Sequence, residues 1–150
     1  ASISAWGATV GAGVEYALIG GYALAAHGFS RFTEDIDILV NPSAENSRRW
    51  IMALAKLPDG AAREPAAAPD VFAGGQRYAI RINDEFTVDV LPAAADLDWE
   101  EARLYLTTCR IDDVTIHLLD LPGLLRSKRT SRPRDAADAE LIEAALESRK

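Results

Sequence analysis

Cysteine is almost missing from this chain. Cys109 is the only one among 150 residues, so no intramolecular disulfide can form and the composition suits a reducing compartment. We read Cys109 as a small buried hydrophobe with no neighbouring base to activate it. Histidine is nearly as scarce: His27 and His117 are the two present. They lack zinc-ligand spacing, and nothing pairs His117 with a nucleophile, so cysteine or serine hydrolase chemistry is unsupported. No apolar run reaches the roughly 18 residues that a membrane span needs, and no charged, apolar leader opens the chain. A soluble, cytoplasmic protein with no membrane partner is therefore expected. Basic residues are also in deficit, with 16 Lys and Arg against 23 Asp and Glu and a net charge of −7. That balance argues against a broad grip on nucleic acid, while leaving room for a local basic patch.

What remains is ample for a core. At 49% hydrophobic, a chain of this length predicts a single domain over residues 1–150. Residues 1–15 carry three glycines and a Trp with little periodicity, and read either as a lead-in or as a poor first helix. Tyr16 to Ile19 forms a short apolar strand, Gly20-Gly21 breaks it, and Tyr22 to His27 restarts with helix formers before Gly28. A glycine pair at a strand-to-helix turn lets backbone N–H groups approach a ligand, and a helix N-terminus favours phosphate oxygens.

Downstream comes Arg31-Phe32-Thr33-Glu34-Asp35-Ile36-Asp37-Ile38. Read as a strand, it aligns Arg31, Thr33, Asp35 and Asp37 on one face and Phe32, Ile36 and Ile38 on the other. Carboxylates at i and i+2 have Cα atoms about 6.5 to 7 Å apart, close enough to share one divalent cation or bracket two. Without more, the same pair reads as a solvated strand edge.

After Pro42, Ser43 is a plausible N-cap, and Trp50, Ile51, Leu54 and Leu57 recur at helical spacing until Pro58. Residues 58–76, rich in Pro, Ala and Gly, read as an exposed loop, either a plain connection or a flap over the site. Arg77 to Ile82 and Phe86 to Leu91 flank Asn83-Asp84 as a β-hairpin, with Tyr78 or Ile80 expected near Asp89. In the second strand Phe86, Val88 and Val90 face the core and Asp89 faces away. An acid in that run is costly to bury unless it meets a cation or donors. If the strand lies beside Asp35, Asp89 joins the two acids; otherwise it is an edge acid.

Beyond Pro92 a polar, Trp-containing segment runs to Arg103. Val114 to Leu118 then forms a strand, with His117 expected at a sheet edge. Two helices close the chain: one capped by Asp120 with Pro122 in its first turn, and one after Pro133 carrying Leu141, Ile142, Ala145 and Leu146. Between them Arg126, Lys128, Arg129, Arg132 and Arg134 make a cationic patch on an acidic protein. It is read either as a phosphate site or as solvated helix ends pairing with Asp135 and Asp138.

Taken together, the glycine pair opening a short helix and the Arg-x-Thr-x-Asp-x-Asp that follows resemble the nucleotidyltransferase superfamily with the DNA polymerase beta-like fold. The Lys128, Arg132, Arg134, Asp135 and Asp138 spacing looks like the tail of its AbiEii-type branch, known from bacterial toxin–antitoxin systems. The resemblance implies an α/β (α+β) fold, a nucleotidyltransferase-like mixed β-sheet flanked by helices. It also implies a Mg²⁺-dependent enzyme that moves a nucleoside monophosphate from a nucleoside triphosphate to an acceptor, whether RNA, protein or a small hydroxyl compound. Asp35, Asp37 and Asp89 would be the catalytic, metal-holding acids, with Asp89 as the base. Gly20, Gly21, Arg31, Thr33 and Lys128 would contact nucleotide, and a toxin or antitoxin partner is implied. Where many superfamily members have Gly-Ser, this chain has Gly-Gly, which removes a hydroxyl contact to phosphate. The alternative is a non-catalytic nucleotide-binding antitoxin or regulator on the same fold.

Overall fold

The computed structural model describes residues 2–11, 13–31 and 35–149. Its centre is a mixed sheet whose strands are β1 (Tyr16–Ile19), β2 (Ile36–Val40), β3 (Ile80–Asn83), β4 (Thr87–Leu91), β7 (Leu106–Ile111) and β8 (Val114–Leu119). They lie in the order β3-β4-β2-β1-β8-β7. β2 runs parallel to β4, and β1 parallel to β8. The other three pairings are antiparallel. A separate two-residue ladder joins β5 (Ala93–Ala94) and β6 (Leu97–Asp98). The expected α+β class with a mixed sheet flanked by helices is thus the observed one.

Helix α1 (Ser2–Val10) resolves the open reading of the N-terminus. Ile3, Trp6 and Val10 fall at helical spacing on its buried side, and α1 packs on β8. Its glycine permits close contact: a Cβ at Gly7 would lie 2.3 Å from Ile116 Cδ1. Helix α2 (Gly20–Ala26) begins at the glycine pair itself, two residues earlier than the sequence implied. α3 (Ala44–Leu54) starts where expected, with the Ser43 hydroxyl accepting from the Asn46 amide at 3.2 Å.

The 58–76 stretch is less open than its composition indicates. It holds a short helix, α4 (Arg63–Ala67), and buries Ala62 and Phe72, the latter tilted against Trp50. The Asp84 carboxylate accepts from the amides of Asp59 and Ala61, both at 2.9 Å, tying this stretch to the β3–β4 turn. Directly opposite Asp89 stands Arg81, and Ile80, expected near that acid, pairs with the adjacent Val90.

The Trp-containing segment carries β5, β6 and α5 (Trp99–Ala102), followed by a 3-10 turn over Arg103–Tyr105. Strand β7 carries no apolar alternation that would mark it in sequence, because Thr107, Thr108 and Arg110 interrupt it. It pairs with β8 through Asp112-Asp113, both in the left-handed region at φ 50° and 65°, as a type I′ hairpin requires. Two corrections follow. His117 lies on β8, one strand inside the edge, stacked on the Tyr16 ring at 5.3 Å. Cys109 is only half-buried, because it sits on the edge strand.

The chain closes with α6 (Leu121–Ser127), capped by Asp120 accepting from the Gly123 amide at 2.9 Å, and α7 (Pro133–Ser148). Ile142 is buried on α7, whereas Leu141 is 46% exposed. Among the described residues no helix is long and apolar enough to cross a membrane.

Candidate functional site

Strand pairing brings the sequence-distant acids together. β2 and β4 run parallel with Asp37 opposite Asp89, while Ile36, Ile38, Val88 and Val90 turn into the core. Alternation then forces both acids onto the opposite face. Asp35 precedes β2 and is not part of it, so the strand expected from Arg31 onward begins at Ile36. Thr33 lies outside the described residues, as do Phe32 and Glu34.

The Asp37 carboxyl is pushed up to about 6. Burial is the largest cause; the charge of Asp89 and a hydrogen bond to it come next. Gly20 is what lets Asp37 sit there. At φ 70° it occupies a left-handed conformation, and a Cβ on it would approach Asp37 Oδ2 to 2.5 Å. The glycine pair therefore has a structural role beside any ligand role, making room for the acid.

Arg81, absent from the sequence reading, is the cation these acids already hold. Its Nε lies 2.8 Å from Asp89 Oδ1 and its Nη2 3.0 Å from Asp89 Oδ2, a two-pronged fork. The same Nη2 lies 3.3 Å from Asp35 Oδ2. A signal was available: in the Ile80-Arg81-Ile82-Asn83 alternation, Arg81 falls on the outward face.

Across from the acids stands a basic wall built by the α6–α7 junction. Lys128 is only 12% exposed at its side chain, with its Nζ 3.0 Å from Asp138 Oδ2 and 3.5 Å from Asp135 Oδ1. Burial holds the Lys128 ammonium below its ordinary range despite these partners. Asp135 also accepts from Arg132 Nε at 2.8 Å and Thr130 Oγ1 at 2.5 Å. Burial alone would raise its carboxyl; those bonds and the Lys128 charge outweigh burial and hold it low. Asp138 accepts from Arg31 as well. These two buried carboxylates aim Lys128, Arg31 and Arg132. In sequence they stand as partners for solvated helix ends and as members of the tail spacing, without this aiming role.

Both walls face one cavity of about 750 Å³. Its lining includes Gly20, Gly21, Arg31, Asp37, Asp89 and Lys128, with Arg81 beside the acids and Arg132 and Arg134 on the far side. Of the five cations singled out in the sequence, Arg126 instead pairs with Glu101 at 2.6 Å beneath α5, and Arg129 is simply exposed.

The donor set facing the cavity from the sheet is all carboxylate, the chemistry a hard divalent cation prefers. The set is not drawn closed: among the described residues no three acidic, histidine or cysteine side chains are grouped to hold a metal ion. Asp37 and Asp89 could supply ligands as they stand, and Asp35 shares the Arg81 guanidinium with Asp89 and adds its charge to the field at Asp37. No protein-family profile matches the chain, and no curated protein matches it.

Proposed function

We propose that the chain is a Mg²⁺-dependent nucleotidyltransferase, passing a nucleoside monophosphate from a nucleoside triphosphate to an acceptor hydroxyl. One observation carries the reading: Asp37 and Asp89, adjacent in register, confront Lys128 and Arg132 across a single cavity. Such a site offers cation ligands on one wall and phosphate partners on the other, as in-line phosphoryl chemistry needs.

Divalent ions at the carboxylates would neutralise the triphosphate and lower the acidity barrier of the acceptor hydroxyl. The residues' own work follows from their positions. Lys128 and Arg132 bind phosphate oxygens, and Asp135 and Asp138 keep those cations aimed. The acceptor oxygen bonds to the α-phosphorus as the bond to pyrophosphate breaks, and Asp89 takes the hydroxyl proton. Arg31 closes the cavity beside Asp138. A toxin–antitoxin setting follows from the family resemblance, with RNA, protein and small hydroxyl compounds as acceptor classes.

The test supplies each α-labelled nucleoside triphosphate with Mg²⁺ to protein and cell extract, then separates RNA, protein and small molecules. Label on one fraction with matching pyrophosphate release is the expected result, lost with Asp37→Ala. Absence of both, for every nucleotide, overturns the reading.

A second reading, a non-catalytic nucleotide-binding regulator, is favoured by the Arg81 fork, which already neutralises Asp89. It requires a triphosphate to bind without Mg²⁺ and without turnover. Thermal shift with and without Mg²⁺ separates the two, since a ligand at 100 times its Kd stabilises by about 2.7 kcal/mol.

A further inference from the structure

β3 is an edge strand, and its outward face carries Arg81 in direct register with Asp89. The guanidinium touches Asp89 through two nitrogens and Asp35 through one of them. It thus sits between two of the three acids read as metal ligands, where a cation shared by them would also have to lie. Its side chain is 59% exposed, against 15% for Asp89. The acid is fixed by the sheet, whereas the arginine reaches it from solvent. A flexible guanidinium on an exposed edge can leave with little loss of packing, while a core cation could not.

We infer that Arg81 is a built-in counter-cation that a divalent ion must displace, so that metal binding at this site is an exchange of guanidinium for metal. The inference rests on the reading that Asp37 and Asp89 bind a divalent ion. Without metal, Arg81 neutralises Asp89 and contacts Asp35. With metal, the fork on Asp89 opens and the ion takes the place of the guanidinium between the carboxylates. Repulsion between guanidinium and a divalent ion on the same carboxylate keeps the two states exclusive. The consequence is a site whose apparent metal affinity is set by Arg81 as well as by its ligands.

Mn²⁺ binding without nucleotide, read from the loss of the free-ion electron paramagnetic resonance signal, tests this on wild type, Arg81→Met and Arg81→Lys. Charge-assisted forks of this kind predict Mn²⁺ binding on the order of tenfold tighter for Arg81→Met, with Arg81→Lys in between. In wild type, the Arg81 Nε–H resonance should be protected without metal and lose protection as diamagnetic Mg²⁺ is added. If wild type binds Mn²⁺ and Arg81→Met binds it no more tightly, Arg81 is not a competitor and the inference falls alone. An Arg81 resonance unmoved by saturating Mg²⁺ also overturns it. If no variant binds Mn²⁺ at millimolar concentration, the divalent-ion reading falls, and the exchange with it.

Discussion

Asp37 and Asp89 stand opposite one another on two parallel strands, and their nearness, on top of burial, keeps a proton on Asp37 up to about pH 6. The site is thus held in a state that favours neutralisation by a proton, a guanidinium or a metal.

Stability without metal should fall as pH rises through that titration. The folded protein releases the Asp37 proton at about 6 and the unfolded chain near 3.8, so the folded state binds more protons between these values. Asp37→Asn removes the penalty while keeping the side chain's size. It should stabilise the metal-free protein by up to about 3 kcal/mol at about pH 8 and by little below about pH 4. Urea denaturation at both pH values checks it; equal gains at both would refute the assignment.

Asp35→Ala and Asp37→Ala should each abolish transfer while the fold persists. Asp35 has an exposed contact with Arg81 at 3.3 Å, and exposed pairs contribute about 0 to 1 kcal/mol. Circular dichroism should match the parent for both variants as pyrophosphate release disappears. Transfer within a few-fold of the parent would end the metal-ligand reading.

Lys128→Ala should weaken triphosphate binding more than it slows the step at saturating nucleotide, because a cation on phosphate serves ground and transition states alike. Its loss should also cost about 1 to 3 kcal/mol of stability. Asp135 and Asp138 are buried, but they retain Arg132, Thr130 and Arg31 as donors. An unchanged KM with lowered stability would make Lys128 purely structural.

Asp89→Asn should lower the rate by about 10² to 10⁴, the usual cost of losing a general base. It should also let the Asp37 pKa drop from about 6 toward, without reaching, the ordinary value, since burial remains the larger cause. Carboxyl ¹³C titration reads this directly. An unmoved Asp37 would mean the two acids are not coupled.

Gly20→Ala should damage the site through backbone strain and contact together. A side chain at φ 70° costs about 1 kcal/mol, and its Cβ would press on Asp37 Oδ2 at 2.5 Å. Mn²⁺ affinity should fall with stability. Metal binding unaffected by the substitution would place Asp37 elsewhere.

Much of this could be read from residue patterns, because local rules act over a few residues. The alternation of Val88 and Val90 around Asp89, a hairpin at this point of the chain, and the Ser43 and Asp120 caps each need only neighbours in sequence, and each appears in the fold, although Asn83 ends β3 and the turn runs over residues 84–86. Reading failed where tertiary contact overrode local signal. α1 is helical despite Gly7 in its middle, because Trp6 and Val10 have β8 and α3 to pack on. β7 forms on polar residues because β8 offers it a ladder.

Residue type and spacing alone marked the candidates for chemistry: the closely spaced Asp35 and Asp37, the isolated Asp89, the glycine pair and the cationic stretch around Lys128. Side-chain type and strand periodicity are local properties, so they survive without a fold. The fold alone sets β4 parallel to β2 with Asp89 opposite Asp37, closes the Arg81 fork on Asp89, and holds a half-buried Lys128 against Asp135 and Asp138. Those relationships depend on strand order and on residues far apart in the chain, which are fixed by the packing of one shared core.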